Sequence, residues 1–339
     1  GDTHYTAVDG TDAIKQAVRE KFRRDNRLDY DADQIIVSCG AKHSLFNLMQ
    51  AILDPGDEVL VPAPYWVSYP DMARLADAVP VELGAGIEAD FKLTPAQLAG
   101  AITDKTRLLI LNSPSNPTGK AYSEAEFKAL GEVLADYPQV AVVSDEIYEH
   151  LYWGDEPFVC FATACPQLSD RTVVVNGVSK AYAMTGWRIG YAAGPREWIA
   201  AMKKIQSQST TNACSIAQAA AAAALSGDQQ CVRDMTAEFR RRHDRVVAAL
   251  DALPGVTCPP GDGAFYAFPS FAGAIDQIDG IDDDLQLAEW LLEQADVALV
   301  PGTAFGAPGH LRVSYATSLE LLESAIERIG DCLRDNGVT

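Results

Sequence analysis

A single lysine follows an apolar run near the middle of this chain. The run 173–175 leads through Asn176-Gly-Val-Ser179 to Lys180. Burial and a nearby cation would lower the pKa of this amine, so that its uncharged form could attack an aldehyde and form a Schiff base. Arg188, eight residues later, offers a planar guanidinium that suits a phosphate or a carboxylate. Together the two residues suggest pyridoxal phosphate, which carries both an aldehyde and a phosphate. A lone Ser-Lys pair, by contrast, more often only begins a surface helix.

A carboxylate and an amide follow two other apolar runs. Asp145 ends the run 141–145, and Tyr148 lies three residues further on. Asp145 could pair with the pyridine nitrogen, which must keep its proton if the ring is to accept electrons. Asn116 lies in a turn after the run 108–111, where its amide could face a ring oxygen. Taken alone, an aspartate after a strand more often caps a helix, and Asn-Pro-Thr-Gly is usually only a turn.

Seven short segments occur in an order that resembles one enzyme family. They are Gly40-Ala-Lys42, Pro64-Tyr-Trp66-Val-Ser-Tyr69, Asn116-Pro-Thr-Gly119, Ser144-Asp-Glu-Ile-Tyr148, Ser179-Lys180, Gly186-Trp-Arg188-Ile-Gly-Tyr191 and Leu311-Arg312-Val-Ser-Tyr315-Ala316. With them the chain resembles the pyridoxal-phosphate-dependent class I aminotransferases of fold type I, from Tyr5 to Ser318. Among these it is most similar to the bacterial aspartate aminotransferases with a lysine in the first phosphate loop. The resemblance implies a transaminase working by ping-pong half-reactions, with aspartate as the expected donor and 2-oxoglutarate as the acceptor.

The resemblance also implies roles for the residues around the cofactor ring. Lys180 would hold pyridoxal phosphate through a Schiff base and carry the proton between substrate and cofactor. Asp145 would pair with the ring nitrogen, which makes it the second catalytic residue. Tyr148, the third, and Asn116 would hydrogen-bond the phenolic oxygen of the ring. Trp66 would stack on the ring.

The cofactor phosphate would lie at the beginning of a helix. The resemblance places it against the backbone N–H groups of Gly40 and Ala41, where the helix that contains Lys42 begins. The hydroxyl of Ser179 and the guanidinium of Arg188 would complete this phosphate site. Gly177 stands where some family members carry a serine, so one further hydroxyl contact is absent.

The resemblance implies that two cations recognise the substrate. Arg312 would bind the α-carboxylate with both arms of its guanidinium, next to Asn116 and Trp66. Lys42 would face the distal carboxylate of a dicarboxylic substrate. Alternatively, Lys42 adds positive charge near the cofactor phosphate or points to solvent.

The family resemblance further implies a homodimer with shared active sites. Tyr5 holds the place of a tyrosine that reaches the neighbouring subunit's phosphate, although tyrosine is enriched at interfaces in general. Family members usually begin several dozen residues earlier, with an arm and a glycine-containing loop that closes over the substrate. This sequence starts almost at the Tyr-Thr pair, so recognition by that loop lies outside it.

The composition excludes several classes of partner. The chain has 339 residues, of which 48% are hydrophobic, and a formal net charge of −20 at pH 7. This negative charge disfavours nucleic acids and anionic membranes, because both are polyanions. No apolar run reaches the length of a membrane span, so no membrane association is predicted.

The cysteines and histidines show no spacing typical of a metal site. Seven scattered cysteines predict reduced thiols and a cytoplasmic location. Cys39 adjoins the expected phosphate loop, where a buried structural thiol is favoured over a redox switch. No metal is predicted, since no shared helical face joins His4, His43, His150, His243 and His310.

The elements that must position these residues follow from hydrophobic periodicity. Residues 11–22 predict a capped amphipathic helix, and strands then alternate with helices to about residue 210. We therefore predict an α/β fold, with a mostly parallel seven-stranded sheet in a cofactor-binding domain of residues 1–227. Residues 228–339 are predicted to form a long linking helix and a smaller α+β domain, with strands at 263–268 and 311–315 and a helix at 286–294. Arg312 would then reach the cofactor from the smaller domain.

Three other functions share these features. An aromatic or prephenate aminotransferase and a β-lyase can use the same fold and cofactor residues. A non-catalytic ligand-sensing module could also keep the fold, but such modules usually carry an attached DNA-binding domain, and this sequence contains none.

Overall fold

A seven-stranded sheet forms the centre of the molecule in the computed structural model, which describes residues 3–339. Its strands are β1 (Ile35–Ser38), β2 (Glu58–Ala63), β3 (Val79–Gly84), β4 (Thr106–Asn112), β5 (Ala141–Asp145), β6 (Thr172–Gly177) and β7 (Gly190–Ala193). They lie in the order β1-β7-β6-β5-β4-β2-β3. Only β7 runs antiparallel to its two neighbours. The predicted mostly parallel seven-stranded sheet is confirmed.

Helices cover both faces of this sheet. They are α1 (Asp12–Lys21), α2 (Ala41–Ile52), α3 (Ser68–Arg74), α4 (Pro95–Ala101), α5 (Glu124–Ala135), α6 (Phe161–Ala164), α7 (Arg196–Ser209) and α8 (Ser215–Ser226). Successive strand residues point to opposite faces. Val173 and Val175 therefore pack with α2, α3 and α7, whereas Val174 packs with α1 and α8.

Local sequence explains where the first helix begins. Thr11 is extended, and its hydroxyl accepts a hydrogen bond from the N–H of Ile14, which satisfies one of the free donors of α1. The alanine-rich segment 217–224 lies inside α8, where Ala217 and Ala221 pack closely against α1. The helix predicted at residues 11–22 is therefore present.

A three-stranded antiparallel sheet lies in the C-terminal part of the chain. It consists of β8 (Tyr266–Ala267), β9 (Val300–Pro301) and β10 (Leu311–Ser314), with β10 in the middle. The surrounding helices are α9 (Gln230–Asp251), α10 (Ala272–Ile275), α11 (Asp284–Ala295) and α12 (Leu319–Asp335). One apolar cluster, drawn from residues 246–338, fills the space between them. The predicted long linking helix, the helix at 286–294 and the strand at 311–315 are present, whereas the strand predicted at 263–268 is reduced to two residues.

The predicted domain boundary between residues 227 and 228 falls just before α9 and stays a prediction. Within residues 3–339, none of the helices combines the length and the apolarity needed to cross a bilayer.

Candidate active site

The carboxyl ends of the parallel strands surround one cavity of about 400 Å³. Ligands of α/β sheets bind at this edge because the loops that leave the strands diverge there. The lining residues are Ala41, Lys42, Trp66, Tyr69, Asn112, Asn116, Asp145, Ile147, Tyr148, Ser179, Lys180, Thr185, Arg188, Tyr266 and Arg312. Thus the fold brings together ten of the twelve residues predicted from sequence, and the other two, Gly40 and Tyr5, do not line the cavity.

Lys180 follows β6 and is half-buried. Burial lowers the pKa of its amine, the positive charge of Arg312 lowers it further, and Asp145 partly opposes both effects. The Nζ atom lies 5.6 Å from the ring centre of Tyr148 and 5.3 Å from that of Phe265. The amine thus has the environment that the sequence predicts, with its uncharged form favoured relative to a lysine in water.

Asp145 ends β5 and is buried. Its Oδ2 accepts a hydrogen bond from the Tyr69 hydroxyl at 2.8 Å, and its Oδ1 accepts one from the N–H of Ile147 at 3.3 Å. Burial raises the pKa of this carboxyl to about 6, although both hydrogen bonds oppose the rise. At pH 7 the carboxylate is therefore mostly ionised and suits a cationic group in the cavity.

We expect Tyr69→Phe to raise the Asp145 pKa above about 6, because the lost hydroxyl stabilises only the charged carboxylate. A pH titration of the unliganded protein labelled with ¹³C at aspartate Cγ would measure the change. Tyr122→Phe is the matched control, since it removes another buried hydroxyl, which contacts the N–H of Leu93 instead. An Asp145 titration that is the same in wild type and Tyr69→Phe would contradict the prediction.

The beginning of α2 differs in one detail from the phosphate site expected there. Gly40, at a φ of 92°, precedes the helix, but its N–H already donates to the carbonyl oxygen of Ser38 at 2.7 Å. Among the described residues, the N–H groups of Ala41 and Lys42 have no such partner and lie at the positive end of the helix dipole. The two donors available to an anion are therefore those of Ala41 and Lys42.

Glycine is required where Arg188 approaches this helix. A Cβ atom at Gly40 would overlap the guanidinium of Arg188, and one at Gly190 would overlap the backbone at Ala41. Arg188 donates to the carbonyl oxygens of Thr185 at 3.0 Å and Cys39 at 3.3 Å. The two glycines thus let a cation lie beside the free N–H groups of α2.

Lys42 and Trp66 form one wall of the cavity. The Nζ atom of Lys42 lies 4.6 Å from the centre of the Trp66 ring, within the range of a cation–π interaction. Trp66 in turn packs edge-to-face on Tyr69, with ring centres 5.4 Å apart. Lys42 is exposed, so its ammonium can turn toward a ligand.

Arg312 extends from β10 between two aromatic rings. Its guanidinium carbon lies 4.6 Å from the centre of the Tyr266 ring and 4.9 Å from that of Phe305. One arm donates to Asn116 Oδ1 at 2.9 Å, while the buried Nε has no partner within residues 3–339. A carboxylate would satisfy the remaining donors of this fixed guanidinium.

Tyr5 lies apart from these groups. It is 89% exposed and does not line the cavity. Its predicted role at a neighbouring subunit's phosphate stays a prediction.

Sequence reasoning gave no role to four polar residues of the cavity. Tyr69, Asn112, Thr185 and Tyr266 line it. Tyr69 belongs to the segment 64–69 that carries the family resemblance, and its position three residues after Trp66 was the available signal. Asn112 anchors the turn, because its side chain donates to the carbonyl oxygen of Asp145 and accepts from the N–H of Asn116. Tyr266 had no signal in the sequence beyond the alternation of its strand.

One group of possible metal ligands lies outside the cavity. Side-chain atoms of Asp25, Glu149 and His150 lie within 4.8 Å of one another. Their charges are already paired, since Lys21 contacts Glu149 and Arg24 contacts Asp25 at 2.7 Å. The prediction that the protein needs no metal stays a prediction.

The donor set of the cavity fits pyridoxal phosphate. An amine with a lowered pKa, a buried carboxylate, the free N–H groups of α2 and the orphaned Nε of Arg312 are the complements of an aldehyde, a protonated ring nitrogen, a phosphate and a substrate carboxylate. Trp66 adds a flat apolar surface to the same cavity.

Comparison with known proteins gives a consistent result. Residues 1–329 match the family model described as "Aminotransferase class I and II". The chain is 51% identical over 338 residues to an aspartate/prephenate aminotransferase of Nitrosomonas europaea, covering 98% of this chain and 85% of that protein.

Two solved structures are also similar to it. The crystal structure of the aspartate aminotransferase from Rhizobium meliloti superposes with a TM-score of 0.96 at 48% identity, covering 99% of this chain and 85% of that one. The aromatic aminotransferase of Pyrococcus horikoshii superposes with a TM-score of 0.94 at 35% identity, covering 99% and 89%.

Proposed function

The chain belongs to the class I and II aminotransferases, and we propose that it moves an amino group from aspartate to 2-oxoglutarate with pyridoxal phosphate as its cofactor. The observation that carries this proposal is the placement of Lys180 and Asp145 in one cavity with Arg312. A base, a carboxylate for the ring and a clamp for the substrate are then within reach of one small molecule. The names of the similar proteins support aspartate as the donor.

The cofactor would be held by residues from several loops. We place its phosphate at the N–H groups of Ala41 and Lys42 with Ser179 and Arg188, and its ring nitrogen at Asp145. When bound, pyridoxal phosphate would supply an aldehyde for the amino group and a protonated ring that accepts electrons. The ionised carboxylate of Asp145 stabilises that positive charge, and burial strengthens the interaction.

The residues of the chain contribute binding and proton transfer. Lys180 Nζ accepts the proton from the substrate α-carbon and returns a proton during the reaction, for which its lowered pKa leaves the uncharged amine available. Arg312 fixes the α-carboxylate, and Asn116 holds one arm of the guanidinium in place. This clamp orients the C–H bond toward the base, so that binding energy is used for positioning.

A dicarboxylic substrate is favoured by the second cation of the cavity. Lys42 lies on the wall of the cavity and has no carboxylate partner within the described chain. It is therefore free to pair with a distal carboxylate. Aromatic and prephenate substrates remain the second candidate, because the similar proteins include enzymes named for them. The flat surface of Trp66 is the feature of the cavity that would suit an aromatic side chain.

We also propose that two copies of the chain form a dimer with shared sites. Tyr5 supports this proposal, because a tyrosine that is 89% exposed on the chain alone is suited to a protein interface. A monomer in sedimentation velocity would argue against it.

The predicted cytoplasmic location is supported by seven cysteines that are all free thiols in the described chain.

The visible spectrum of the protein loaded with cofactor tests the function. Aspartate should bleach the absorption band of the bound cofactor, and 2-oxoglutarate should restore it, because the amino group leaves again. A band that responds to phenylalanine or prephenate-derived amino acids but not to aspartate would favour the aromatic alternative. Release of ammonia in step with turnover would indicate a β-lyase, and a band that no amino acid changes would indicate a sensing module.

A further inference from the structure

Tyr266 contacts two residues of the active site that come from different parts of the fold. It lies on β8, opposite Ser314 of β10, the strand that carries Arg312. Its hydroxyl lies 3.1 Å from the hydroxyl of Tyr148, which follows β5 of the large sheet. Its ring faces the guanidinium of Arg312 at 4.6 Å. One buried side chain therefore joins the expected carboxylate-binding residue to the expected partner of the ring oxygen.

We propose that Tyr266 is a positioning residue that donates a hydrogen bond to Tyr148 and so directs the Tyr148 hydroxyl proton toward the cofactor ring. This inference rests on the proposed function, because it assigns Tyr148 to the ring oxygen of pyridoxal phosphate. Each phenol has one proton to donate, and within residues 3–339 the Tyr148 hydroxyl has Tyr266 as its partner. If Tyr266 is the donor, the proton of Tyr148 is left for another acceptor.

The position of Arg312 favours Tyr266 as the donor, because its guanidinium faces the Tyr266 ring at 4.6 Å. A cation close to a phenol favours its ionised form, so it makes that phenol the stronger donor. Burial raises the pKa of both tyrosines, but Arg312 and the hydrogen bond with Tyr148 oppose the rise for Tyr266. The pKa of Tyr148 is held well above its ordinary value by burial, by the proximity of Tyr266 and by the charge of Asp145, and the opposing effect of Arg312 is smaller than each of these. Tyr266 is thus the more acidic member of the pair.

A hydroxyl that accepts a hydrogen bond becomes a stronger donor itself. Donation from Tyr266 therefore strengthens the bond that Tyr148 makes to the ring oxygen. A hydrogen bond to that oxygen favours the deprotonated form of the bound chromophore and lowers its apparent pKa. Loss of the Tyr266 hydroxyl should consequently change the apparent pKa of the cofactor band in the loaded protein, although Tyr266 need not contact the cofactor.

The pair can first be tested without cofactor. In protein labelled with ¹³C at the tyrosine Cζ, Tyr266→Phe should move the Tyr148 resonance, which Tyr148→Phe identifies by removing it. Phenylalanine keeps the ring on Arg312 and removes only the hydroxyl. Tyr315→Phe is the matched control, because Tyr315 is a fully buried tyrosine near β10 whose hydroxyl has no hydrogen-bond partner in the described chain. A Tyr148 resonance that moves no further in Tyr266→Phe than in this control would overturn the proposal.

The loaded protein gives the second test. Tyr266→Phe should raise the apparent pKa of the cofactor band by about 0.3 to 1 unit, the scale of a weakened hydrogen bond, whereas Tyr315→Phe should leave it unchanged. In a Tyr148→Phe background the same change should produce almost no further shift, since the effect passes through Tyr148. A full shift in that background would overturn the proposal. A wild-type protein that never shows a cofactor band would contradict the proposed function, while the resonance test would still decide the contact between the two tyrosines.

Discussion

Lys180→Ala should lower turnover by roughly three to six orders of magnitude, on the scale expected when a nucleophile and an acid–base group are lost together. The loss follows from the position of the amine, which is half-buried in the cavity and has its pKa lowered by burial and by Arg312. The variant should still bind pyridoxal phosphate, because the beginning of α2, Arg188 and Asp145 are unchanged. Single-turnover kinetics with aspartate and the visible spectrum would separate the lost chemistry from retained binding.

Lys204→Ala is the control for this experiment. Lys204 lies on the exposed side of α7 and does not line the cavity, so its loss should leave turnover and spectrum unchanged. Borohydride reduction of the loaded wild type followed by peptide mapping checks the assignment independently. A pyridoxyl group found on Lys203 or Lys204 would show that the anchoring lysine had been misidentified.

The sequence predicted the ends of the strands better than the contacts between them. Asp145 and Lys180 could be found because a polar residue directly after an apolar run lies at the end of a strand, and parallel strands end at one edge of a sheet. The helix at residues 11–22 could be found because Thr11 caps it locally. Such features depend on residues that are neighbours in the sequence, so a single amino-acid sequence is enough to recognise them.

The missed residues depend on contacts between distant segments. Tyr69 reaches Asp145 across 76 positions of the chain, and Tyr148 reaches Tyr266 across 118. No local pattern in the sequence indicates that either pair of side chains is in contact. The N–H of Gly40 was assigned to phosphate for a different reason: it donates to the carbonyl oxygen of Ser38, only two residues earlier, in a local backbone turn that the residue types do not reveal.

The preference for dicarboxylic substrates is expected to depend most on Lys42. Lys42→Ala should lower the kcat/KM for aspartate and glutamate by roughly ten- to a thousandfold, which corresponds to the loss of a charge-assisted contact of about 1.5–4 kcal/mol. Alanine and phenylalanine have no distal carboxylate and should be nearly unaffected. Lys42→Arg keeps the positive charge and should retain a larger part of the activity with the two dicarboxylic amino acids. Lys105→Ala, an exposed lysine outside the cavity, is the control for a general effect of net charge.

The alternative role of Lys42 has a distinct outcome in the same experiment. Because Lys42 also contributes a free N–H group at the beginning of α2, its side chain could act mainly on the cofactor phosphate. In that case Lys42→Ala should weaken the retention of pyridoxal phosphate and lower kcat/KM for all four amino acids by a similar factor. The contact with Trp66 is the reason to expect the first outcome, since it places the ammonium on the wall of the cavity. A selective loss would establish that recognition of the second carboxylate depends on a single exposed cation, and a uniform loss would remove the structural argument for aspartate.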